Sequence, residues 1–252
     1  MMSKSKPDYG LDAPGVFRAL LTIGLTAIGL GTFLLLWAPR NDSGAIAGAA
    51  SFIFNGGIGC LAGASMMFAS SRFGKFRLRD RLLRGLHLRG DESVLDVGCG
   101  HGLLLIAAGK LVPHGRAVGV DLWSQTDQSN NSREATMKNA ALEGVAERVE
   151  VHDGDMRKLP FASGTFDAVI AHFAIHNISV REGRREAIRE IVCVLKPGGQ
   201  VALSDLKSVG LYADELRKSG MDDVRVSWPS FWTWPPSRCV TARKPVPPSL
   251  RS

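Results

Sequence analysis

Two long uncharged stretches open the chain, and shorter apolar runs alternate with amphipathic ones behind them. The first stretch extends from Ala19 to Pro39 without a charged side chain. At 1.5 Å per helical residue that covers roughly 30 Å, enough to cross a hydrocarbon core. Arg40-Asn41-Asp42-Ser43-Gly44 makes a polar turn, and a second uncharged stretch runs on to Ser71. The pattern predicts a transmembrane helical hairpin over 16–71, behind a flexible, polar segment at 1–15. Gly59 and Gly63 stand in a small-xxx-small relation, and Ala27 and Gly31 offer a shallow face to meet them. A cleaved signal peptide, helped by Ala-Ile-Ala-Gly-Ala at 45–49, and a hairpin buried in a core are the competing readings. The first run exceeds a signal's apolar core, however, and a second follows at once.

Residues 72–89 change character. Phe73, Phe76, Leu82, Leu83 and Leu86 recur at helical spacing among arginines. This predicts a basic amphipathic linker helix lying at a bilayer surface, or else a simple stop-transfer flank. Net charge is +7, and the basic residues cluster on both flanks of the hairpin while its turn holds only Arg40. The positive-inside bias then puts both ends in the cytoplasm, giving a multi-pass protein of the cell membrane. That distribution suits a membrane partner, and no nucleic-acid partner is expected.

From residue 90 to 245 strand and helix signals alternate, and the pattern predicts an α/β domain, followed by a disordered tail at 246–252. Strands are expected at Val94–Val97, Arg116–Asp121, Val149–Val151, Phe166–Ala171, Gln200–Leu206, Val224–Trp228 and Arg238–Lys244. Helices are expected after Gly102 and at about 132–144, 181–195 and 212–219, the third stopped by Lys196-Pro197-Gly198-Gly199. The first strand leads into Asp96-Val97-Gly98-Cys99-Gly100-His101-Gly102, a glycine turn that lets backbone approach a ligand closely. A dinucleotide site would need its third glycine one residue later, where Leu103 stands. The second strand ends in Asp121, about 20 residues on, where a carboxylate can accept both hydroxyls of a ribose. The four cysteines, Cys60, Cys99, Cys193 and Cys239, lack metal-ligand spacing, so no metal is expected.

The D-x-G-x-G-x-G turn, the acid at 121 and Leu195-Lys196-Pro197-Gly198-Gly199 before the fifth strand together resemble the class I S-adenosylmethionine-dependent methyltransferases. The likeness is to the small-molecule branch that includes quinone and lipid methyltransferases. It implies a Rossmann-like seven-stranded sheet whose last strand is antiparallel, and S-adenosyl-L-methionine as cofactor. It further implies that Gly98, Cys99 and Gly100 line the methionine end, with Asp96 near the ammonium. Asp121 would hold the ribose, Leu122 and Trp123 would flank the adenine, and Asp155 would accept from its amine with Met156 beside it. Ala171, at the end of the fourth strand, completes the expected cofactor set. His172 and His176 follow that strand where the fold brings substrate. Either is a candidate proton acceptor, and a structural role for His176 at a helix start is an equal alternative. The arsenic-methylating relatives need reactive cysteines that are not evident here.

Only Lys207–Leu211 separate the fifth strand from its helix, so the site is expected to be open unless residues 72–89 or the N-terminus cover it. The loop Trp228–Pro236 should project at the same edge of the sheet, its tryptophans facing lipid on the side of Arg72–Arg89. These features predict a membrane-anchored enzyme methylating a lipid or lipophilic acceptor. A diffusible thiol or amine acceptor, or a degenerate fold serving as a membrane scaffold, are the alternatives. Oligomeric state is left open.

Overall fold

The computed structural model describes residues 6–37, 44–124 and 130–248. The two uncharged runs form helices α1 (Pro14–Trp37) and α2 (Ala45–Ala69), packed against each other. The expected turn at Arg40–Ser43 lies outside the described residues. Small residues bring the helices together, Gly31 among them as expected, but on the second helix not the predicted pair. An added Cβ on Gly24 would come within 2.7 Å of Leu61, on Gly31 within 2.8 Å of Phe54, and on Gly57 within 2.8 Å of Ile28. Gly59 meets nothing within 4 Å, and Gly63 only Leu20 at 3.7 Å. The buried small residues recur at sevens, Gly24 and Gly31 against Ala50, Gly57 and Ala64, as a left-handed seam requires. The remaining faces are apolar and exposed, including Leu36, Phe33 and Phe52.

A five-residue π turn, Ser70–Gly74, carries α2 without a break into α3 (Lys75–Gly85). Here the expectation of an amphipathic helix facing a bilayer fails. Leu78, Leu82, Leu83 and Leu86 are buried on the α/β domain, and the Leu86 carbonyl accepts from Gln200 of the sheet. Burying four leucines is worth roughly 6–12 kcal/mol as an upper bound, far more than a few surface charges on lipid. Of the predicted apolar face only Phe73 stays well exposed.

The domain is a seven-stranded sheet in the order β3-β2-β1-β4-β5-β7-β6. Its strands are β1 (Ser93–Val97), β2 (Arg116–Asp121), β3 (Val149–Asp153), β4 (Phe166–His172), β5 (Leu195–Asp205), β6 (Asp222–Val226) and β7 (Arg238–Arg243). All neighbouring pairs from β3 to β5 are parallel, and β7 runs antiparallel between β5 and β6. Side chains alternate between two cores, as a sheet covered on both faces demands. Leu95, Val97, Val118, Val120, Val169 and Leu203 meet α6 (Arg181–Val194) and α7 (Val209–Lys218) on one face. Val94, Ala117, Ala168, Ile170 and Ala202 meet α3 and α4 (Leu103–Leu111) on the other. α5 (Arg133–Leu142) begins at Ser132, whose hydroxyl accepts from Ala135 N–H, a side-chain cap for an otherwise orphan donor.

The glycine-rich stop before β5 is itself extended: Leu195 already pairs with Phe166, and a register shift follows. β6 begins two residues early and ends at Val226, leaving Trp228 outside it and 90 % exposed. The flexible N-terminus also needs correcting over 6–13, where Tyr9 is buried against α3 and α4. Asp8 N–H donates to Asn139 of α5, Tyr9 OH to Glu143, and Asp12 N–H to Ser71. Of the expected tail, residues 249–252 lie outside the described residues.

Candidate functional site

Strand order reverses between β1 and β4, so the connections leaving their carboxyl ends part and open a crevice. A cavity of about 610 Å³ occupies it, within the range of small-molecule sites. The glycine turn forms one wall. Gly98, Gly100 and Gly102 all adopt positive φ, and a Cβ on Gly98 would fall 2.3 Å from Ala174. A side chain there is excluded both by conformation and by space.

Beneath the turn sits Asp96, 2 % exposed, with Oδ2 accepting Leu105 N–H at the start of α4 at 2.9 Å. Burial pushes its carboxyl up to about 8 against that hydrogen bond, with the charge of Asp121 adding to the rise. A buried acid at the cavity floor calls for a cation. Asp121 spans the turn: Oδ2 accepts Gly100 N–H at 2.8 Å, and Oδ1 accepts Trp123 N–H at 2.7 Å and Asn131 Nδ2 at 3.3 Å. A carboxylate has about four lone-pair sites and three are taken, so one is open to a ribose hydroxyl and a second opens where the long Asn131 contact gives way.

Asp96, Gly98, Cys99, Gly100, Asp121, Leu122, Asp155, Met156, His172 and His176 all line this one cavity, so ten of the twelve expected residues converge. Trp123 and Ala171 do not. The Trp123 indole donates to Asp153, and Ala171 is turned into the core at 1 % exposure. Asp155 is in place but already forked by Arg157, whose Nε lies 3.0 and 2.9 Å from its two oxygens. That guanidinium holds the Asp155 carboxyl below its usual range.

The opposite wall carries the histidines. Both ring nitrogens of His172 are buried without a hydrogen-bond partner among the described residues, and its ring stacks on Phe173 at 3.8 Å. Burial lowers His172 to about 3, helped by the charges of Lys75 and His176, so the ring is neutral at ordinary pH. His176 differs. Its Nδ1 lies 2.5 Å from Asp205 Oδ1, at ion-pair distance though out of line for a hydrogen bond. Asp205 is 1 % exposed and is anchored by three donors, His176 N–H, Leu206 N–H and Tyr212 OH. Burial, reinforced by Asp205, pushes the Tyr212 phenol well up, so it stays a donor.

The strap at 9–13 and the start of α3 roof the cavity. Lys75, 3 % exposed, donates to the carbonyls of Tyr9 (2.9 Å) and Gly10 (2.8 Å) and to Asp12 Oδ1 (3.3 Å). Burial lowers its ammonium pKa, and Asp12 partly restores it. The sequence reading missed Lys75, Asn131, Asp205 and Tyr212. Two carried a signal: Lys75 is the only lysine among the arginines of 72–89, and Asp205 ends an apolar strand as Asp96 and Asp121 nearly do.

The family model described as "Methyltransferase domain" matches residues 94–199. Among curated proteins, a demethylmenaquinone methyltransferase of Symbiobacterium thermophilum is 32 % identical over 115 residues, 45 % of this chain and 42 % of that protein. One from Staphylococcus aureus strain JH9 is 34 % identical over 124 residues, 49 % and 46 % of the two chains. This chain therefore aligns with less than half the length of the curated relatives it matches. Among solved structures, the [4+2]-cyclase SpnF superposes with a TM-score of 0.55 at 21 % identity, covering 68 % of this chain and 82 % of that one. That likeness shows the fold alone, and the same fold there serves a cyclase. The glycine turn, its two acids and the family match together carry the identification: residues 94–199 belong to the class I S-adenosylmethionine-dependent methyltransferases.

Proposed function

We propose that this protein is a membrane-embedded enzyme that methylates a quinone-like, lipophilic acceptor with S-adenosyl-L-methionine. The observation that carries the reading is one cavity lined by a buried, cation-seeking Asp96 and by a neutral His172, without a hydrogen-bond partner among the described residues, beside a His176–Asp205 pair. Two helices long and apolar enough to cross a membrane, with outward faces apolar, support the membrane assignment. The arginine distribution supports a cytoplasmic catalytic domain. The printed names of the curated relatives support the quinone.

When bound, S-adenosyl-L-methionine supplies a methyl group on a positively charged sulfur, ready for in-line displacement. Asp96 would pair with its ammonium, which would draw the buried carboxyl toward its anionic form. Asp121 would accept from the ribose, while Leu122 and Met156 would cover the adenine and Asp155 would take its amine alongside Arg157. His176 receives at Nε2 the proton that the acceptor gives up, with the Asp205 carboxylate beside Nδ1 stabilising the charged ring that forms. His172, neutral at working pH, hydrogen-bonds an acceptor oxygen and spares its own buried nitrogens. The strap and Lys75 exclude water.

The test is direct: purified full chain in liposomes receives methyl-labelled cofactor and a demethylated isoprenoid naphthoquinol, and the lipid phase is extracted. Label in the quinone fraction is expected, and its loss with His176→Ala. Label confined to water-soluble products would overturn the acceptor assignment.

A further inference from the structure

A second cavity, about 710 Å³, lies between the π turn and the loop Trp228–Pro236, outside the cofactor site. Its floor is the last turn of α2, Met66 and Ala69, and its sides are Phe73, Phe76 and Trp232. Two guanidiniums, Arg72 and Arg77, border it. Both are exposed, and neither forms an ion pair with a carboxylate among the described residues. Arg77 instead stacks over the Trp232 ring at 4.3 Å, and Arg72 over Phe68 at 5.8 Å. The aromatic loop is built onto this junction. Trp234 N–H donates to Ser70 Oγ at 3.0 Å, and a Cβ on Gly74 would lie 1.6 Å from the Trp232 carbonyl oxygen.

Position and charge identify an occupant. The cleft sits where the uncharged run of α2 gives way to the arginines of 72–89, which is headgroup depth if the hairpin spans the bilayer. It offers apolar walls on the membrane side and two unpaired cations at the rim. We infer that it seats one anionic phospholipid, its phosphate meeting Arg72 and Arg77 and its acyl chain lying along Phe73, Phe231 and Trp232. The inference rests on the membrane reading above but not on the identity of the methyl acceptor. Guanidiniums suit phosphate because they offer a planar fork of donors. The lipid would brace the aromatic loop against α3, and through α3 the Lys75 roof of the cofactor cavity.

The probes are phosphatidylglycerol and phosphatidylcholine, titrated onto the full chain in neutral detergent and read by native mass spectrometry. One phosphatidylglycerol should be retained per chain, in clear preference to phosphatidylcholine. Arg72→Ala with Arg77→Ala should weaken retention roughly 30-fold, the worth of two basic residues at a lipid surface. Arg84→Ala with Arg89→Ala removes equal charge from exposed positions outside the cleft and should change retention less than about twofold. Thermal stabilisation by S-adenosyl-L-methionine should persist in both pairs, which separates failure here from failure of the cofactor assignment. Equal retention of the two lipids by the unaltered chain overturns the inference, and that comparison needs no variant. So does an equal loss in both double variants, which would mean diffuse surface charge. Displacement of the phospholipid by the isoprenoid acceptor, or a dimer that persists in its presence, gives the cleft to another occupant and overturns it too.

Discussion

Replacing Asp96 by asparagine isolates the contribution of a carboxyl that burial holds at about 8 instead of 3.8. Between those values the folded protein keeps a proton that the unfolded chain releases. Stability contributed by this group is therefore complete below about pH 3.8, falls as pH rises, and levels off beyond about 8. At about 1.4 kcal/mol per pH unit, wild type should lose about 4 kcal/mol relative to the variant between pH 5 and pH 8. His172 titrates with the opposite sign, gaining stability as pH climbs from about 3 toward its ordinary value, but it is common to both proteins and cancels in the difference. The introduced amide can still accept from Leu105 N–H through its oxygen, so the main hydrogen bond survives. Thermal melts of the full chain without cofactor, at pH 5, 7 and 8, are the assay. The variant's melting temperature relative to wild type should climb by roughly 8 °C or more across that range, at 2–4 °C per kcal/mol. The variant should also lose most of the stabilisation by S-adenosyl-L-methionine, because an amide does not balance the ammonium. A difference that stays flat with pH would refute the reasoning, since Asp96 would then be ionised at no cost.

Asp121→Ala should weaken cofactor binding about 100-fold by calorimetry, the low end for two hydrogen bonds to a charged acceptor; an unchanged dissociation constant removes its ribose role. His176→Ala and Asp205→Asn should each lower kcat by about 10²-fold or more with cofactor affinity intact, as loss of a positioned base predicts. A fall in affinity instead would make the pair structural. Gly74→Ala drives a methyl group into the Trp232 carbonyl, so the aromatic loop must move, at about 1–3 kcal/mol. Tryptophan emission should shift and the melting temperature fall by several degrees, while a silent substitution would show the loop is not built on this turn.

The sheet was legible because continuous apolar runs that end in acids are written locally: Arg116–Asp121 is read to the residue. The glycine turn was legible for the same reason, since its backbone conformation restricts residue choice. What could not be read were contacts between distant segments. Residues 6–13 look like a polar tail until Lys75, 63 to 66 positions away, supplies their hydrogen bonds. The apolar face of α3 has one periodicity whether it meets a bilayer or a sheet, and only the fit of Leu78, Leu82 and Leu86 against α4 and β5 decides. In the hairpin Gly31 was placed correctly but Gly59 and Gly63 were not, because several glycine pairs satisfy the spacing and only packing selects Gly57 to meet Gly24 and Gly31. Trp123 was misplaced because its indole finds Asp153, a partner from the neighbouring strand that spacing alone does not reveal.

A structure of the full chain with S-adenosylhomocysteine and a naphthoquinol tests the central claim most directly. The ribose should lie on Asp121, the ammonium on Asp96, and the sulfur should face an acceptor held between His172 and His176. A nucleoside bound away from Asp121, or an acceptor that fails to reach His176, would contradict the account.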